Sequence, residues 1–184
     1  MNDLAELSRR LENLIRLGTI ALVDLAAARV RVQSGELLTG WLPWQSARAG
    51  TVREWDPPTA GEQVLVLSPS GQTANGVVIT GLFSDLIPAN GDRANLHRRT
   101  YADGAVIEYD SAAHLLRATL PDGGKTELVS NGGIHLVGDV TLEGNLTQTG
   151  SQTVSGDVIA SGISLVKHTH GGVETGGGST GGPK

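Results

Sequence analysis

Near the end of the chain, His168-Thr169-His170 sets two imidazoles two residues apart. On extended backbone, residues i and i+2 point to the same side, so both rings face one way. A pair at this spacing can chelate one transition metal. Alone it is weak evidence, and two solvated loop histidines are the plain alternative. Three features favour the metal. The pair keeps the inward phase of the pattern before it, it follows the last repeat of that pattern, and a glycine-rich tail comes next. If three copies met on an axis, six imidazole nitrogens would surround the ion, an octahedral set rather than the four ligands usual for zinc. With no open coordination position the site would pin chains together and do no Lewis-acid chemistry. A metal hydrolase would need an open position and a nearby carboxylate, for which Glu174 is the only close candidate.

The element that must position these histidines is a repeat. Glycine falls at 132, 138, 144, 150, 156 and 162, a period of six that points to β-helical winding. Even positions between them include Ile134, Leu136, Val140, Leu142, Leu146, Val154, Val158 and Val166, and odd positions from 139 to 157 are mostly polar. Successive strand residues face opposite sides, so one face is apolar or glycine and the other polar. A flexible linker would carry no such phase-locked aliphatic row. One hexad turns only two small or medium side chains inward, too few to close a core. The repeats must bury that face against something else, and the simplest partner is identical chains wound about a common axis. The expectation is a trimeric, intertwined β-helix in which six hexads climb about 30 Å at one strand spacing each. His168 and His170 continue the inward phase. Gln148 and Gln152 are inward but polar and suit hydrogen-bonded layers on the axis. Asp139, Glu143 and Asp157 are odd-phase and read as a solvated acidic face. His97, His114 and His135 read as surface or strand residues.

Ahead of the repeat the composition is different. All six aromatic residues lie between Trp41 and Tyr109. Residues 3–17 place Leu4, Leu7, Leu11 and Leu14 at helical spacing among charged residues, with Asn2 or Asp3 as a cap and Gly18 as a stop. Such a helix packs on its own domain, on a partner, or on copies of itself. Short strands follow at Thr19–Asp24, Arg29–Ser34, Leu37–Leu42, Gln63–Leu67 and Gly76–Leu82, with a turn at 68–71. Five strands in this span predict a small Greek-key barrel of the OB type. Trp41, Trp44 and Trp55 are the candidate stacking residues for a nucleic-acid ligand, against a packing role in core or interface. After a polar stretch from 90 to 100, three further strands are expected at Ala105–Tyr109, His114–Thr119 and Thr126–Ser130.

Composition narrows the function. The chain has 184 residues, 14 Lys plus Arg against 19 Asp plus Glu, and a net charge of −5. Residues 1–100 balance ten basic against ten acidic residues, and 101–184 hold four against nine. A nucleic-acid binder shows a basic face, which this chain lacks. With no cysteine, disulfides, thiolate zinc sites and cysteine nucleophiles are excluded. No apolar run reaches the roughly 20 residues of a membrane-spanning helix, and no secretory signal pattern opens the chain. There is no helical His-Glu-x-x-His run, phosphate-cradling loop or nucleophile elbow, so no enzyme is expected.

The order of parts resembles the central spike of contractile-tail baseplates, the baseplate assembly protein V family, and R-type pyocin spikes within it. The resemblance rests on Trp41-Leu42-Pro43 and Gly61-Glu62-Gln63-Val64-Leu65-Val66 in the barrel and on Asp103-Gly104-Ala105-Val106-Ile107-Glu108-Tyr109. It is completed by the glycine hexads and His168-Thr169-His170. It implies a mainly β homotrimer, with an OB-fold collar and a β-helical needle whose apex histidines, His168 and His170, hold an iron ion octahedrally. The expected division is 1–17 helix, 18–95 collar, 96–131 strand transition, 132–170 needle and 171–184 glycine-rich tail. The implied role is mechanical piercing of a target cell's outer membrane on sheath contraction. The collar would seat on tail tube and baseplate hub proteins of a phage or pyocin particle assembled in the cytoplasm. Some related spikes carry a lysozyme-like insert, for which this chain has no room. A trimeric receptor-binding fibre or adhesin is the rival reading, and it would need exposed aromatics on the shaft. The tail after the histidines is expected to fold back along the needle.

Overall fold

The computed structural model describes residues 2–169 together with Gly172 and Gly176. The chain forms two compact units, Met1–Glu127 and Leu128–Lys184. The first opens with α1 (Asn2–Leu14). The helix ends at Leu14 and not at Gly18, because the Ser68 N–H donates to the Leu14 carbonyl at 2.9 Å and Ile15 pairs at once with Leu67. Gly18 lies inside the following strand. A Cβ there would run into Val32 and the Gln33 carbonyl, so the glycine serves a close approach between strands.

Five antiparallel strands follow: β1 (Ile15–Asp24), β2 (Arg29–Ser34), β3 (Leu37–Leu38), β4 (Gln63–Leu67) and β5 (Val77–Leu82), in the order β3-β2-β1-β4-β5. The expected third strand is shorter as regular structure, but its continuation closes the barrel. Leu42 pairs antiparallel with Val30 of β2, and Trp44 pairs parallel with Val78 of β5. The Val78 N–H donates to the Pro43 carbonyl at 2.9 Å, and the Gln45 N–H donates to the Val78 carbonyl at 2.8 Å. Residues 42–44 thus join the two edges of the sheet, which leaves few unpaired backbone groups there. Alternation puts Val30 and Val32, then Val64 and Val66, on the inside, where they meet Ile20, Leu42 and Val78. Trp44 packs against this core from its rim.

A three-stranded sheet completes the unit: β6 (Leu96–Thr100), β7 (Val106–Asp110) and β8 (Leu115–Thr119). β6 falls in the stretch expected to be an irregular polar segment, whereas the strand expected at 126–130 does not form. The reason lies in the register. Arg98, Glu108 and Arg117 sit opposite one another on β6, β7 and β8. Glu108 then pairs with Arg98 at 2.8 Å and with Arg117 at 3.3 Å. Opposed charges across the strands replace the apolar alternation that marks most strands. His97 lies on β6, and His114, at φ 53°, lies in the β7–β8 turn.

In the second unit the described regular structure is one hairpin, β9 (Ile159–Ala160) and β10 (Ile163–Ser164). The hexad glycines Gly138, Gly144 and Gly150 take φ of 126°, 136° and 112°, which side-chain-bearing residues avoid. No atom lies within 4 Å of a Cβ placed at these three positions, so in the single chain their role is backbone direction and not crowding. Gln148 donates to the Ser151 carbonyl at 2.9 Å, a contact within its own chain.

Candidate metal centre

His168 is positioned by the hairpin. The connection between β9 and β10 is Ser161-Gly162, with φ of 50° and 82°. Two successive positive φ values are the signature of a type I′ turn, whose twist suits a two-residue hairpin. After β10 the chain curls over its own strand. The Leu165 N–H donates to the Val158 carbonyl at 2.9 Å, and the Lys167 N–H donates to Ser164 Oγ at 2.8 Å. The Ser164 carbonyl then accepts twice from His168, from its backbone N–H at 3.1 Å and from ring Nδ1 at 2.8 Å.

The second of these bonds sets the chemistry. A carbonyl only accepts, so Nδ1 carries the proton. The lone pair of the neutral ring is then on Nε2. Holding one ring nitrogen on a backbone carbonyl while the other is presented to a metal is the usual outer-shell arrangement of a ligating histidine. The ring observed here therefore fits a metal ligand. His170 lies outside the described residues, as does the fold-back expected for residues 171–184. Among the described residues, no three His, Asp or Glu side chains converge as a metal set would require. One chain offers two neighbouring imidazoles in sequence, so an octahedral set would have to come from several chains.

Asp157 has a role that its spacing in the sequence did not show. It is exposed, as expected, but it is not simply a solvated charge. Its carboxylate accepts from the Val166 N–H at 3.2 Å, and the Ser164 hydroxyl lies near enough to favour its charge. These contacts favour the charged form, the serine hydroxyl first, and hold its pKa below the ordinary aspartate value. Asp157 thus ties the start of the hairpin to Val166, within the segment that carries His168, while the Ser164 hydroxyl accepts from Lys167 and its carbonyl from His168. The Ser-Gly dipeptide at 161–162 was the available signal for a turn that would bring them together.

Asp157→Ala is expected to leave the hairpin formed but loosen the 164–168 turn. If His168 ligates a metal, affinity should fall about tenfold at most, less than the full cost of losing a direct partner of the ligand, because Asp157 acts on His168 only through the turn. Titration of the full chain with metal, with amide exchange at Val166 as the structural readout, checks this. Unchanged affinity with faster exchange would separate the turn from the metal.

The barrel carries the other candidate residues. Trp44 and Trp55 form a tilted pair with centroids 5.7 Å apart. They line a cleft of about 530 Å³ with Arg29, Arg48, Arg53 and Glu54. Trp41 lies apart from that pair, with the Arg31 guanidinium 6.0 Å from its ring centre. The three tryptophans therefore do not make one stacking platform. Trp44 combines a packing role on the core with one wall of the cleft.

Comparison with known proteins gives three matches. Residues 16–83 match the family described as the type VI secretion system/phage-baseplate injector OB domain. Residues 162–184 match the GpV Apex motif. The chain is 41% identical over 136 residues to the spike protein of Escherichia phage P2, covering 72% of this chain and 63% of that protein. The chain therefore spans less than two thirds of that relative's length. The first match coincides with the barrel strands, from Arg16 in β1 to the residue after β5. The second begins at the hairpin turn and contains both histidines.

Proposed function

The chain belongs to the phage-baseplate spike proteins, and we propose that three copies of it form the membrane-piercing tip of a contractile tail tube. One observation carries this reading beyond the family. Ile134, Leu136, Val140, Leu142, Leu146, Val154, Val158 and Val166 are all exposed in the single chain. Exposed apolar surface on this scale marks an interaction site, and the six-residue glycine period favours identical chains as its cover. Three intertwined copies bury the row on a common axis as a β-helical needle and pair their strand edges all round. Such a rod resists bending and fraying.

His168 and His170 of each copy would hold an iron ion at the apex, where the metal supplies a crosslink between chains. The Ser164 carbonyl keeps the His168 ring in the tautomer and direction that ligation requires, and Asp157 braces the turn at Val166. The barrel seats the spike on the tail tube and baseplate hub of a phage or pyocin particle. Sheath contraction then drives the needle through the outer membrane of the target bacterium. The excess of acid in residues 101–184 opposes adhesion to anionic lipid during passage. The role is mechanical and not enzymatic. A receptor-binding fibre is less well supported, because the chain has no aromatic residue after Tyr109 to form a ligand platform on the needle.

Native mass measurement with metal analysis on the full chain tests the proposal. The expected result is a mass of three chains with about one metal ion per three. A monomer, or one metal per chain, overturns it.

A further inference from the structure

The helix α1 carries an apolar row that its own unit does not cover. Leu4, Leu7, Leu11 and Leu14 are 76%, 63%, 67% and 39% exposed. Their spacing is three, four, three. Every other residue from Asn2 to Asn13 except Ala5 is polar. A helix that packs on a globular core has a stripe of about three residues in seven, whereas the narrower two-in-seven stripe is the seam of a coiled coil. The row seen here is the narrow kind, with leucine at both seam positions throughout. The charged residues stay off it. Glu6 accepts from Arg9 at 2.8 Å and from Arg10 at 2.6 Å, and these two arginines pull its pKa down to about 2. The ion cluster is thus satisfied within one helix.

The barrel holds the helix from another direction. Gly71, at φ 69°, lies so close under α1 that a Cβ there would strike the Arg10 backbone. That contact fixes the helix and leaves the leucines outside. The apolar surface continues onto the strands. Ile15, Leu67 and Val77 stand opposite one another in register across β1, β4 and β5, and all three are exposed.

We propose that the Leu4–Leu7–Leu11–Leu14 row is the seam of a parallel coiled coil formed with α1 of the other copies, resting on the three-copy reading above. A helix of 13 residues is too short to associate strongly by itself. Copies already joined elsewhere meet at high effective concentration, and a seam of two heptads then suffices. In a parallel arrangement the helical residues flanking the seam, Asp3, Ser8 and Arg10, bring no like charges together across neighbouring helices.

The chain has no cysteine, so the test is direct. Cysteine is placed singly at Leu7 (L7C) or Leu11 (L11C) of the full chain, with Glu12→Cys, which lies off the seam, as control. Each variant is treated with a short bis-maleimide. Linked pairs are expected in most molecules for both seam variants and at background level for Glu12→Cys. Native mass is measured on the same samples. A three-chain mass with seam linkage no higher than the control overturns the coiled coil and assigns the leucines to a different protein, leaving the spike reading intact. A one-chain mass overturns both.

Discussion

Replacing His168 and His170 together by alanine is expected to remove the bound metal completely while three chains stay associated. The two roles separate because they rest on different residues. Association is assigned to the aliphatic row from Ile134 to Val166, which the substitution leaves untouched. In the proposed apex site the metal depends on imidazole nitrogens, for which alanine has no substitute. The stability lost is that of ligand linkage, about 4 kcal/mol per site when free metal stands a thousandfold above its dissociation constant. It should appear at the apex, as faster amide exchange after Ser161 and faster tryptic cleavage at Lys167, with the barrel unchanged. A chelator applied to the wild-type chain should give the same pattern. Metal retained by the double variant would locate the ion elsewhere. Dissociation into single chains would make the metal the agent of assembly rather than a pin on an assembly already formed.

Leu42→Ala is the second substitution with a large expected effect. Leu42 is 1% exposed and belongs to the segment that closes the barrel. Truncating a buried leucine costs about 2–5 kcal/mol, from lost burial and from the cavity left behind. A domain of this size has about 5–15 kcal/mol in total, so a large part of the barrel's stability is at stake. The midpoint of thermal unfolding should fall by on the order of 10–20 °C. Tryptophan fluorescence reads this event selectively, because Trp41, Trp44 and Trp55 are the only tryptophans and all precede residue 56. Trp44 touches the core that Leu42 fills. A loss below about 1 kcal/mol would mean that the site collapses around the smaller side chain and that closure depends on the backbone bonds at Val30 and Val78.

The barrel was legible because its signal is local and periodic. Val30 and Val32 alternate with Arg29, Arg31 and Gln33, Gln63–Leu67 is a short run rich in β-branched and aliphatic residues, and turn residues separate the strands. What the sequence obscured was decided by partners far along the chain. Gly18 has the form of a helix stop, yet it lies inside β1 beneath Val32, and Ser68 ends the helix four residues earlier. β6 has no apolar alternation, since its stabilising pairs involve Glu108, ten residues beyond Arg98. The end of the chain divides in the same way. The histidine pair is visible as a spacing. The part played by Asp157 requires the chain to reverse at Ser161-Gly162, and nothing at position 157 itself announces that. The needle is an expectation from phase and period, for which copies of the chain are the simplest partner.

The Asp157 network has a consequence for the order of folding. Its bonds span at most nine residues, the longest running from Val166 to Asp157. Contacts this local close little chain entropy, and a hairpin of this kind forms in about 1–10 μs. Meeting another chain is a bimolecular event and is far slower at the concentrations at which proteins are made. If copies assemble as proposed, each has time to set its His168 ring on Ser164 before it encounters a second one. On the three-copy proposal, the slow step of assembly would begin with that ring already directed.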